Sequence, residues 1–179
     1  MLVSRYREYC MAVVIVDNIV NDPFEVVEKF IPTDEFSVQF IDPRSIYTYR
    51  QLIVGFMGAV DAYRVNGQRA KKFEVEFLLR FSGKTQINEA IEAVGYRKGD
   101  RSVCVCVFMK DESKIGEVVQ KIAEHLGGTI SEEIERGTLK NVLELYGISI
   151  NELEVLAPSR EVKPGELLIL ERIAMSGLA

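Results

Sequence analysis

Gly83-Lys84-Thr85 is the first place in this 179-residue sequence to look for chemistry. A glycine followed by a lysine and a hydroxyl residue closes the phosphate-binding loop of many nucleotide hydrolases. That loop also needs a glycine five positions before Gly83, where the backbone turns so that its amides can wrap a phosphate. The position is Leu78, inside an apolar run, so the stretch does not read as a nucleotide cradle. His125 is the one histidine, which removes the zinc-hydrolase patterns, and no motif sets a Ser, Cys or carboxylate beside it. In the last turn of a helix its imidazolium would favour the negative helix end instead. Cys104 and Cys106 share one face of an apolar strand, and with Cys10 they make an odd count. They read as reduced core thiols, since a metal site needs more ligands than this pair supplies. No Gly-x-Ser-x-Gly occurs, no Gly-x-Gly-x-x-Gly follows a strand, and the carboxylates are spaced as on solvated helix faces. The sequence reads as non-catalytic, with no cofactor and no metal.

What remains is weaker chemistry, directed at anions. Arg80 and Lys84 flank the expected start of a helix, whose unpaired amides and partial positive charge can hold a phosphate. The plain alternative is a strand-to-helix loop whose amides Thr85 caps. Net charge is −5, yet from Arg64 to Arg101 nine Lys or Arg stand against five Asp or Glu. A basic middle in an acidic chain is the footprint of a focused anion contact, and equally of a mixed solvated surface.

The elements that would position these residues follow from periodicity. From Lys71 to Phe108 the chain reads as strand, short loop, helix, turn, strand. Phe73, Val75, Phe77, Leu79 and Phe81 alternate with Glu74, Glu76, Leu78 and Arg80, the period of two of a half-buried strand. Thr85 is the expected N-cap of a helix burying Ile87, Ala90, Ile91 and Val94, and Gly95 its left-handed stop. Ser102 to Phe108 is apolar on both faces, as suits a central strand.

Upstream, Met11 to Val16 reads as the first strand and Phe36 to Phe40 as the second. Between them Asp22-Pro23-Phe24-Glu25 starts a helix that turns Phe24, Val27 and Phe30 inward and ends at Pro32. Asp42-Pro43 leads into the longest helix, about residues 45–66, with Tyr49, Leu52, Ile53, Phe56, Val60 and Tyr63 inward. Its small side, Gly55, Gly58, Ala59 and Ala62, would let it lie close against a sheet. Downstream, Ile115 to Leu126 is an amphipathic helix closed by Gly127-Gly128, and Thr138 to Tyr146 another, stopped by Gly147. Ser149-Ile-Asn-Glu152 is a capping box, residues 157–163 a surface loop, and Leu167 to Met175 a final helix, with a strand as the alternative. Together these give one α/β (α+β) domain, residues 1–179, with a small mixed or antiparallel sheet packed with helices. No apolar run approaches the roughly 18 residues of a membrane span, and the N-terminus lacks the order of a secretory signal, so a cytoplasmic protein is expected.

The run Glu76-Phe-Leu-Leu-Arg-Phe-Ser-Gly-Lys-Thr-Gln-Ile-Asn-Glu-Ala-Ile91 resembles the kinase-binding accessory subunit of the KEOPS complex. That family's pattern is a Glu, an apolar triplet, a small-residue loop, then Arg-Gln-Ile and a helix with Ala-Ile. Gln86-Ile87 and Ala90-Ile91 match, while Thr85 stands where the family usually has Arg. Residues 46–62 resemble its long helix, with Gln51 in place of a common His, and Leu170-Glu-Arg-Ile-Ala174 resembles its ending. The resemblance implies a non-catalytic subunit that binds the complex's small kinase-like ATPase and holds the 3′ CCA end of tRNA for threonylcarbamoyl-adenosine modification. On that reading Arg69, Lys71, Lys72, Arg80, Ser82, Lys84, Thr85 and Gln86 meet the tRNA, and Leu170, Ile173 and Ala174 meet the kinase. A second reading is a regulatory domain that takes a small anionic ligand on the same loop.

Overall fold

The computed structural model describes residues 1–30, 35–155 and 162–177. Its first half runs β1 (Leu2–Tyr6), β2 (Tyr9–Asp17), α1 (Pro23–Phe30), β3 (Phe36–Ile41), α2 (Tyr49–Arg64), α3 (Phe73–Ser82) and α4 (Ile87–Val94). The second half runs β4 (Ser102–Met109), α5 (Glu112–Leu126), β5 (Thr129–Ser131), α6 (Leu139–Tyr146), α7 (Ile150–Val155) and α8 (Glu166–Met175). The mixed α/β class expected from the alternation of elements is the class observed. The contacts gather in two units, Met1–Pro43 with Gly95–Ile134, and Arg44–Val94 with Glu135–Ala179.

The first unit holds the sheet, in the order β1-β2-β4-β3, with every pairing antiparallel. The strand Ser102–Met109 is central, and all but its first residue are buried, as an apolar run without alternation requires. β1 pairs with the first half of β2 and β5 with its last three residues. One row of the sheet, including Val14, Val16, Val103, Val105 and Val107, packs against Ile115, Val119, Ile122 and Leu126 of α5. The strand β1 escapes the sequence pattern because its hairpin turns at Arg7-Glu8, without glycine, and Arg7 itself adopts φ +56°. Asp22 caps α1 as expected, accepting from the Phe24 amide at 2.9 Å. On that helix Val26 is fully buried, and Val27 packs half-buried against the same core. Phe24 stays half in solvent, its ring against Phe40 and Tyr96. Pro32, the side chain of Phe30 and residues 157–161 of the expected surface loop lie outside the described residues.

The second unit is helical, and it corrects the reading of residues 73–82. They form α3, not a strand. The segment is buried nearly all round, so its apolar residues carry no amphipathic signal and fit a period of two as well as one of 3.6. The spacing that decided is four. Phe77 and Phe81 stack at 5.9 Å, and the Arg80 Nε donates to Glu76 Oε1 at 2.7 Å, both pairs meeting only across a helical turn. The small side of α2 accordingly faces this helix. A Cβ at Gly55 would stand 3.3 Å from the Phe81 Cα, so glycine lets two helix backbones approach. The helix α2 itself begins at Tyr49, later than Asp42-Pro43 suggested, because Thr48 and Gln51 form a capping box there. Leu52, Phe56 and Val60 are buried as expected, Ile53 and Tyr63 half-buried, and Tyr49 exposed. Gly95 is no left-handed stop; it forms a β-bridge with Ile41.

Candidate functional site

The loop between α3 and α4 is built by three local devices. Gly83 takes φ +68° and its amide donates to the Arg80 carbonyl, which ends α3 in a left-handed cap. The Ser82 hydroxyl donates to the Leu79 carbonyl and accepts from the Lys84 amide, both at 3.2 Å, so Ser82 is buried scaffold. The Tyr146 hydroxyl donates to the Phe81 carbonyl at 2.6 Å, holding the loop to α6. Burial pushes the Tyr146 phenol far above its ordinary range, with the Gln51 hydrogen bond only partly offsetting it, so it stays protonated and donating. Lys84 is half-buried, its ammonium reaching the Leu145 carbonyl at 3.5 Å.

Beyond this frame the chain opens to solvent. Thr85 and Gln86 are exposed, and α4 starts at Ile87, so Gln86 occupies the cap position expected of Thr85. Ile87, Ala90, Ile91 and Val94 do share one stripe, but only half of it is covered. Ala90 and Val94 are buried, whereas Ile87 is 44% and Ile91 49% exposed. A cation thus stands at the start of an exposed apolar ridge. Both isoleucines were expected in the core, but periodicity tells which residues share a face and not how far that face is covered.

The remaining expected anion contacts separate. Lys71 and Lys72 are exposed at the start of α3, roughly 15 Å along the axis from the loop at 1.5 Å per residue. Arg80, expected at the same contact, is turned inward: it is 8% exposed and paired with Glu76, which is fully buried. Glu76 Oε2 also accepts the amides of Arg69 and Ala70, at 2.7 and 3.0 Å. The Arg69 guanidinium lies inside too, its three nitrogens shielded from solvent. Arg97, Lys98 and Arg101 belong to the first unit, and the other six cations of the basic middle to the second.

The last helix divides cleanly. Glu166, Ile169, Ile173 and Ser176 are buried, and Ile169 and Ile173 pack with Val142, Leu143 and Tyr146. Ile173, expected at the kinase contact, is a core residue at 2% exposure. Leu170 is half-buried, and Leu167, Ala174 and Met175 lie in solvent, giving an outward apolar stripe. His125 donates from Nδ1 to the Lys121 carbonyl at 2.7 Å, a helix-end contact. Cys104 and Cys106 lie 3.8 Å apart at sulfur, and burial drives the Cys106 thiol well above its ordinary value. Among the described residues no three His, Cys, Asp or Glu are grouped to hold a metal ion, and no helix is long and apolar enough to cross a membrane.

Two comparisons bear on this arrangement. The profile of the family described as "Kinase binding protein CGI-121" matches residues 16–177. A protein of Methanocaldococcus jannaschii named "Regulatory protein Cgi121" is 36% identical over 76 residues, 42% of this chain and 47% of that protein. The matched segment thus spans about half the length of that relative.

Proposed function

This chain belongs to the CGI-121 family of kinase-binding proteins, and from that premise we propose that it is a non-catalytic KEOPS subunit joining a small kinase-like ATPase to tRNA. The observation that carries the tRNA half is the ridge of Ile87 and Ile91 beside Lys84, with Thr85 and Gln86 exposed between them. A single-stranded 3′ end offers phosphates to a cation and base faces to apolar side chains, and it is recognised by both together. The contacts assigned to it are Lys84, Thr85, Gln86, Ile87 and Ile91, with Lys71 and Lys72 adding positive potential. Ser82 supports the loop from behind. The kinase meets the outward stripe of α8, Leu167, Leu170 and Ala174, because an apolar stripe left in solvent on a packed helix is a surface that a partner can cover. Modification chemistry then belongs to another subunit, and the complex works where tRNA is, in the cytoplasm.

The test compares tRNA with tRNA trimmed of its CCA end in a gel shift. Intact tRNA is expected to bind and trimmed tRNA to bind at least tenfold more weakly. Lys84→Glu with Ile91→Glu is expected to abolish the difference while leaving the circular dichroism spectrum unchanged. A folded double variant that still distinguishes the two RNAs would remove this ridge from the tRNA contact.

A further inference from the structure

The Arg69–Glu76–Arg80 cluster holds two guanidinium groups against one carboxylate. Glu76 is fully buried, and its oxygens are taken by the Arg80 Nε and by the amides of Arg69 and Ala70. The Nε, Nη1 and Nη2 of Arg69 are shielded from solvent and donate to nothing among the described residues. Arginine does not solve this by losing its proton, since its guanidinium stays charged at any ordinary pH. Burial does press that charge, and the neighbouring Arg80 adds repulsion that Glu76 only partly relieves. A buried cation with all its donors idle is among the costliest features a fold can carry.

We propose that Arg69 and Arg80 enclose a small free oxyanion of the phosphate type, in a site separate from the exposed ridge at Ile87 and Ile91. Three idle nitrogens in one plane carry five N–H donors, and a pair of these can fork to two oxygens of a tetrahedral anion, the geometry for which a guanidinium is built. The cluster's surplus positive charge supplies the complement, and Lys71 and Lys72, exposed two and three residues on, draw anions toward it. A polymer phosphate does not fit, because a nucleic-acid backbone must continue into solvent on both sides whereas these nitrogens are closed off.

The full chain is melted in inorganic phosphate and in chloride at equal ionic strength. Phosphate is expected to raise Tm by about 2–4 °C or more once it is well above its Kd. R69M, which deletes the charge and keeps the stem, is expected to fold and to lose the phosphate-dependent rise. R69K keeps a charge without the fork, and at least tenfold weaker phosphate binding is expected of it. Equal wild-type Tm in the two salts overturns the proposal, as does a rise that persists in R69M or R69K binding as tightly as wild type. A third arm follows phosphate by 31P NMR while a single-stranded oligonucleotide ending in CCA is added. Retention of phosphate supports a separate site; its displacement places Arg69 on the nucleic-acid surface and overturns this inference without touching the tests at Lys84.

Discussion

Gln51 uses all its hydrogen-bonding capacity inside the protein. Its Oε1 accepts the amides of Tyr47 and Thr48 at 2.7 and 2.9 Å, and its Nε2 donates to the Ser45 carbonyl and the Tyr146 hydroxyl at 3.3 and 3.0 Å. One side chain thereby caps α2 and steadies the tyrosine that anchors the α3–α4 loop. Gln51→Leu leaves two buried amides and a carbonyl unpaired, and a loss of about 3 kcal/mol is expected in urea unfolding. Gln51→His should lose less, since an imidazole keeps one donor and one acceptor. Glu135 acts nearby, accepting from the Tyr49 amide and from Lys163, both at 2.7 Å. Burial opposes its charge, but Lys163 and the amide outweigh that, and the carboxyl sits below its ordinary range. A lowered acid contributes stability that is present above the unfolded pKa, about 4.3 for Glu, and is lost as pH falls through the folded one. Stability measured from pH 7 down to pH 3 should therefore fall less steeply in Glu135→Gln than in wild type over the acid end.

At the scale of elements the close approaches are set by glycine, and their tolerances differ. A Cβ at Gly55 would meet Phe81 at 3.3 Å, which a few tenths of an ångström of yielding relieves. At Gly137 it would stand 2.8 Å from the Ile46 carbonyl carbon and 2.9 Å from the Tyr47 amide nitrogen, where backbone must move. The Gly137 amide donates to the Ile46 carbonyl at 2.6 Å, so the contact also pins the strap before α6 to the entry of α2. Gly137→Ala is expected to lower Tm more than Gly55→Ala, while Gly55→Leu should cost about 1–3 kcal/mol through overpacking. The helix α8 shows the same logic from its two sides. Ile173→Glu buries a charge in the core and is expected to unfold the second unit, read by circular dichroism, whereas Leu167→Glu changes only the outward stripe. Leu167→Glu should keep the wild-type melt and weaken kinase capture; a folded variant that captures the kinase fully would take α8 out of that contact.

For the whole molecule the two proposed surfaces differ in kind, and salt separates them. Contacts of lysine with phosphate release counterions, so tRNA binding should fall steeply between 50 and 200 mM salt. The stripe on α8 is apolar, and kinase capture should change little over the same range. The two partners should also bind together, because the α3–α4 loop and the outward stripe of α8 share no residues. Loss of kinase on adding tRNA in a pull-down would show that the surfaces are not independent.

Much of this protein could be read from its sequence, because many of the deciding interactions are local. The caps at Asp22 and Ser149, the glycine stops at Gly127 and Gly147, and the doubly apolar strand from Ser102 each report conditions set within a few residues. The resemblance carried by Gln86-Ile87 and Ala90-Ile91 named the family in the same way. What the sequence could not decide is how far each apolar face is covered. Residues 73–82 satisfied two periods at once, and only burial on every side, with Glu76 facing Arg80 one turn away, made them a helix. Ile87 and Ile173 are both apolar residues at helical spacing, yet one lies in solvent and the other in the core. Arg69 and Arg80 stand in a basic segment like any solvated pair, and only the fold turns them inward around a single carboxylate. Periodicity assigns a residue to a face; whether that face meets water, a partner or the core depends on what arrives from elsewhere in the chain, and that is tertiary.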